Sequence, residues 1–155
     1  MATSSNSAPP GDLSELFHRA SRSLRQTWSA RLAPFELTPH QSRAMRSLAQ
    51  HSNPSDPASR AGMRLKDIAE HLRIAPRSAT EVIDQLEAKQ LVLRHPDPID
   101  RRATLVCLTA EGTLLSERVR AARRSHTQDY FGRLNAQERA DLARILETLS
   151  GAPER

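Results

Sequence analysis

The feature that most constrains this chain is a pair of short amphipathic segments followed at once by a proline-tipped hairpin. Leu65, Ile68, Ala69 and Leu72 fall on one face of a short helix, because residues three and four apart share a face. Arg73-Ile74-Ala75-Pro76 interrupts that helix. A second helix starts at Pro76, whose fixed torsion suits a first helical position, and carries Ala79, Val82, Ile83 and Leu86 on its buried side. Two short helices across a turn of about four residues form the helix-turn-helix pattern. Leu91-Val92-Leu93-Arg94-His95 and Ala103-Thr104-Leu105-Val106-Cys107-Leu108 then flank a tip dense in proline and charge, Pro96 to Arg102, which predicts a two-stranded hairpin. A hairpin in that place is a wing. The predicted fold class is therefore mainly α: a winged helix-turn-helix over residues 63–109 with a two-stranded β wing and long flanking helices.

The flanks are helical by the same argument. Residues 1–11 are small, polar and proline-containing and predict a disordered tail. Leu13, Leu16, Phe17, Ala20, Leu24, Trp28 and Leu32 then step by three and four, predicting one amphipathic helix that ends before Pro34. Thr38-Pro39-His40-Gln41 combines a capping threonine, a proline at the first position and a glutamine three residues after the cap, which starts a helix running to about Gln50. Residues 51–62 hold two prolines, a glycine and five Ser, Asn or Asp residues and predict an exposed loop. Thr109 caps a further helix with Leu115, Val119, Ala122, His126 and Tyr130 on one side. Asn135 to Glu138 has capping-box spacing and opens a last helix with Leu142, Ile145, Leu146 and Leu149 inward. The helices within 12–50 and 110–150 present more apolar surface than a small winged domain covers. Either they fold back within one subunit or they meet a second copy as a dimerisation region.

Composition narrows the function classes. Hydrophobic residues make up 37% of the chain, and the aromatics are Phe17, Phe35, Phe131, Trp28 and Tyr130, so the core must be aliphatic, which favours helices. There are 23 basic and 18 acidic residues, a net charge of +5, and every cation but Lys66 and Lys89 is arginine. The planar arginine fork fits phosphates and guanine edges, which makes double-stranded DNA the first partner to consider, although a solvated basic surface accounts equally well for the net charge alone. The single Cys107 cannot form an internal disulfide, and MATSSNSAPPG lacks the order of a secretory signal, so a reducing cytoplasm is expected. No apolar run reaches the roughly 20 residues that cross a bilayer. The six histidines form no cluster with cysteine at ligand spacing, so no metal or cofactor is expected. No glycine-rich phosphate loop, paired acid or activated nucleophile stands in the chain, so no catalytic residue is assigned.

The order of elements, together with specific motifs, resembles the MarR family of bacterial regulators over roughly residues 12–150. The motifs are Leu37-Thr38-Pro39-His40-Gln41, the run Ala75-Pro76-Arg77-Ser78-Ala79-Thr80 leading to Leu86-Glu87-Ala88-Lys89, then Leu91-Val92, and Asp100-Arg101-Arg102 followed by Leu108-Thr109. Two departures stand out. Gln90 occupies a position where the family usually has glycine, and the 51–62 loop is longer than family members commonly show. The resemblance implies a sequence-specific DNA-binding regulator, a ligand-responsive repressor that binds near-palindromic sites as a homodimer. Non-specific architectural DNA binding is the alternative, and a winged fold turned to a protein partner is a third.

A recognition helix reads the major groove with its N-terminal turn, here Arg77, Ser78 and Thr80, and Arg77 can offer a bidentate fork to guanine O6 and N7. Asp100 and Arg102 resemble the family's wing Asp-x-Arg pair, in which the acid fixes an arginine that reaches the minor groove. A narrow A/T-rich minor groove concentrates negative potential and so favours such a cationic finger. Arg73, Arg94 and Arg101 are candidate phosphate contacts. The resemblance also implies a small aromatic or phenolic effector between the dimerising helices and the reading domain, with Trp28, His40, Met45 and Arg46 as candidate lining. Trp28 on a helical apolar stripe more often serves as plain core. Cys107 alternates with Val106 and Leu108 and is expected on the more open face of its strand.

Overall fold

A computed structural model describes residues 11–51, 62–98, 100 and 102–151. Most of the predicted tail and of the 51–62 loop, together with Ile99 and Arg101, lies outside the described residues. The helices are α1 (Leu13–Arg31), α2 (Pro39–His51), α3 (Leu65–Leu72), α4 (Pro76–Ala88), α5 (Ala110–Phe131) and α6 (Ala136–Ser150), with a 3-10 turn at Ala33–Phe35 after α1. The strands are β1 (Met63–Arg64), β2 (Val92–Pro96) and β3 (Thr104–Leu108).

The sheet adds a strand to the expected two-stranded wing. It has three strands in the order β1-β3-β2, not two, because Met63 and Arg64 pair antiparallel with Val106 and Leu105. A two-residue strand has too short a pattern to be visible in sequence. Gly62 makes this pairing possible: at φ +100 it takes a conformation closed to most side chains, and a Cβ there would meet the Val106 carbonyl oxygen at 2.4 Å. The wing itself pairs Val92 with Leu108 through to Pro96 with Thr104, as its sequence pattern requires.

The core lies in the central region. Met45 and Leu48 of α2, Ile68 and Leu72 of α3, Ile83 and Leu86 of α4, and Val92 and Val106 of the sheet are all nearly inaccessible. Helix α4 ends in a left-handed cap: Gln90 sits at φ +57, its N–H donates to the Glu87 carbonyl at 2.8 Å, and Leu91 N–H reaches back to Leu86 O at 3.0 Å. Helix α3 ends the same way at Arg73, φ +54. Chain entry into α5 is bound to that corner. Thr109 donates its N–H to Leu91 O and its hydroxyl to Gln90 O, and a Cβ on Gly112 would stand 1.9 Å from Leu91 O, so only glycine lets α5 approach so closely.

The flanking helices differ. No residue of α1 or α6 is buried. Leu142, Ile145, Leu146 and Leu149 were expected inward; in the single chain Leu142 is half-covered, Ile145 and Leu146 are exposed, and Leu149 is 74% exposed. On α1 Leu13 and Phe17 are likewise exposed. Side-chain clasps join α1 to α5, among them the Arg31–Asp129 ion pair at 2.9 Å. The Thr27 hydroxyl lies 2.9 Å from His126 Nε2, and Tyr130 donates its hydroxyl proton to Ala20 O at 2.9 Å. His126 is buried between Trp28 and Tyr130, and burial pushes its pKa down, with the Arg31 charge adding to the effect.

Candidate DNA interface

The N-terminal turn of α4 stands free of the core. Ala75 is its cap with no side-chain hydrogen bond, and Pro76 occupies the first turn. Arg77 has a side chain 92% exposed and a weak i,i+4 contact with Glu81 at 3.5 Å. In water such a pair adds under about 1 kcal/mol, so it leaves the guanidinium available. Ser78 is exposed beside it, whereas Thr80 turns back and donates its hydroxyl to Pro76 O at 3.1 Å. Arg73 is exposed in the left-handed turn between α3 and α4. The turn therefore presents two arginines and a serine on an exposed edge, next to backbone donors that favour anions.

The wing is built differently from the sequence reading. Asp100 does not clasp the Arg102 side chain; its Oδ1 accepts the Arg102 backbone N–H at 3.1 Å, and Arg102 is exposed. The acid thus shapes the tip backbone that carries the arginine. The buried acid of the wing is Asp97, 5% exposed, which sequence reasoning passed over. Arg64 donates to its Oδ2 through Nε at 3.1 Å and Nη2 at 2.6 Å. The contact spans 33 positions, and no local pattern signals it.

Arg94 is corrected as well. Its guanidinium is held by Asp84 at 2.6 Å and by Glu87, both on α4, and only 26% of its side chain is exposed. Two carboxylates neutralise it, so Arg94 ties β2 to the recognition helix and is not a free phosphate contact. Arg101 lies outside the described residues. Cys107 is half-buried on β3, and burial raises its thiol pKa, which keeps it in the less reactive protonated form.

Of the four candidate pocket residues, Met45 and Arg46 line a cavity of about 220 Å³ between α2 and α5, with Leu37, Val119, Arg120 and Arg123 among the other walls. Trp28 and His40 do not line it. Trp28 packs on His126 with ring centroids 5.7 Å apart and takes the Arg123 guanidinium over its face at 5.9 Å, so it is a wall behind the cavity's arginine. His40 is exposed. Among the described residues no group of His, Cys, Asp or Glu could hold a metal ion, and no helix is long and apolar enough to cross a membrane.

A short helix pair with an exposed recognition turn, followed by a basic antiparallel wing, defines a winged helix-turn-helix protein. Comparison with known proteins makes the assignment specific. The MarR family profile matches residues 58–104. The chain is 30% identical over 118 residues to the HTH-type transcriptional repressor MdtR of Bacillus subtilis, covering 76% of this chain and 70% of that one. The crystal structure of MepR, a transcription regulator of the Staphylococcus aureus multidrug efflux pump MepA, superposes with a TM-score of 0.76 at 24% identity over 92% of this chain and all of that one. A MepR–DNA complex matches with a TM-score of 0.71 at 24% identity, over 91% of this chain and 98% of that one. The chain belongs to the MarR family of transcriptional regulators.

Proposed function

We propose that this chain is a repressor that binds near-palindromic duplex DNA as a homodimer in the cytoplasm and is released by a small aromatic or phenolic acid. The observation that carries the DNA reading is the exposed recognition turn of α4, where Arg77 protrudes almost fully into solvent with only a weak partner in Glu81. Arg77 reads a guanine edge in the major groove, Ser78 and Arg73 hold phosphates, and Arg102 at the wing tip enters the neighbouring minor groove. The naming of MdtR as a transcriptional repressor supports the same direction of control.

The dimer follows from the flanks. Leu13, Phe17, Ile145 and Leu149 expose apolar surface on the two helices that hold no fully buried residue, and twofold association of these ends removes it from water. Residues 12–50 and 110–150 form that dimerisation region, and residues 63–109 form the reading domain. Two reading heads then meet half-sites about 10 base pairs apart.

The effector reading rests on the α2–α5 cavity. Its apolar walls, Leu37, Met45 and Val119, suit a ring, and Arg46, Arg120 and Arg123 suit a carboxylate. Helix α2 packs on both α3 and α4, so a ligand that shifts α2 against α5 moves the reading head.

A genomic-fragment binding assay at physiological salt with excess competitor DNA tests the reading. A protected near-palindrome is expected, released by a benzoic acid in wild type but not in Arg123→Ala. Equal competition by all fragments would instead mark an architectural DNA binder.

A further inference from the structure

Arginine is an unusual residue at the position Arg64 occupies. It is the N-cap of α3, where Ser, Thr, Asp or Asn would satisfy an unpaired backbone donor, and its side chain makes no capping bond. A cation at a helix start also opposes the helix dipole. The side chain instead crosses to the wing and meets Asp97 through two nitrogens at 3.1 and 2.6 Å.

Asp97 is the knot of the wing tip. Its N–H donates to Ala103 O at 2.9 Å, its Oδ1 accepts from Asp100 N at 3.3 Å, and Asp100 in turn holds Ala103 N–H at 2.8 Å and Arg102 N–H at 3.1 Å. Arg102 is therefore two hydrogen bonds from the buried carboxylate. The Asp97 side chain is 7% exposed and the Arg64 side chain 36%, so the pair works in a partly desolvated setting where a lost partner is felt. Asp100 and Asp67 add to the negative surroundings of the guanidinium. Strand β1 offers only the Met63 and Arg64 rungs to β3, so backbone pairing alone is a short hinge between the helix-turn-helix and the wing.

We propose that Arg64 and Asp97 are positioning residues for DNA recognition, an ion pair that pins the wing to the start of the helix-turn-helix and thereby sets where Arg102 stands relative to Arg77. The pair acts on DNA through Arg102 and touches no DNA itself. The inference rests on the assignment of Arg102 to the minor groove.

The test is a double-mutant cycle on the full chain, reading affinity for the footprinted operator by fluorescence anisotropy, with thermal melting as a check on folding. Arg64→Gln is expected to weaken binding about tenfold when Arg102 is present and by less than about twofold in an Arg102→Ala background, because the pair's contribution passes through that side chain. Asp97→Asn should reproduce the pattern. Arg64→Lys keeps the charge without the fork, should fold if Arg64→Gln does not, and should give an intermediate loss that again vanishes in the Arg102→Ala background. Equal losses in both backgrounds, or no loss in either, overturn the positioning role. If Arg102→Ala alone leaves affinity unchanged, the minor-groove assignment fails and the inference falls with it. If that variant weakens binding while the Arg64 losses simply add, only the inference fails.

Discussion

The winged region and the outer helices α1 and α6 are both amphipathic, yet one buries its apolar face within the chain and the other does not. In the winged region, Ile68, Leu72, Ile83, Leu86 and Val106 are almost wholly buried, and ion pairs from Arg64 and Arg94 tie the wing to the helices on either side. In α6 the apolar stripe of Ile145, Leu146 and Leu149 faces outward, although a well-formed capping box at Asn135 and Glu138 starts the helix cleanly. Local helix signals and tertiary burial are thus separate properties. The reading head shares one buried core with α2, whereas α1 and α6 leave apolar side chains exposed in the single chain.

Placing charge on the exposed apolar surface should have the largest effect. Leu146→Glu with Leu149→Glu is expected to yield a monomer by sedimentation and to lower operator affinity by roughly a hundredfold or more, because both half-sites can no longer be bound together. A variant that stays dimeric would break the contrast between the regions.

Truncating the buried core comes next. Ile83→Ala should cost about 2–5 kcal/mol of stability at any protein concentration. Ile145→Ala should show a melting loss that depends on protein concentration, since only the proposed association would bury it. Denaturant melts at two concentrations distinguish these behaviours.

Within the reading head, Arg77→Ala should cost about 1–3 kcal/mol of operator binding and relax preference at one base position. Arg102→Ala should weaken binding most on sites with A/T-rich flanks. A binding-site selection experiment separates the two roles, and equal, sequence-blind losses would contradict them.

A smaller gain is expected from Gln90→Gly, which relieves a left-handed residue at the end of α4 and should raise stability by about 1 kcal/mol in thermal melts. The mildest effect concerns pH. His126 has a pKa depressed in the folded chain, so the unfolded chain binds its proton more readily, and stability should fall as pH drops from about 6.5 through the depressed value. Replacing His126 with glutamine should flatten that part of the pH profile.

Sequence made the helices legible because their signals are local. Pro39, Pro76, Thr109 and Asn135 mark starts that the structure uses within a residue or so, and the glycine-like position of Gln90 does lie at positive φ. The wing hairpin was legible from its two apolar runs around a charged tip. Strand β1 was not, because two residues carry no period. The roles of Arg64, Asp97 and Arg94 were hidden for a different reason: an ion pair between distant residues leaves no periodic trace, and an arginine in a wing reads alike whether it faces phosphate or carboxylate. The α6 stripe stands open in the single chain; a helical stripe tells which face is apolar and not what covers it.

The most direct test of the account is a hydroxyl-radical footprint of the full chain on its selected binding site, with Arg77→Ala and Arg102→Ala beside it. Two protected half-sites about one helical turn apart are expected, with loss of sequence preference in the first variant and loss of flanking minor-groove protection in the second. Uniform protection along any duplex, unchanged in pattern by either substitution, would contradict this reading.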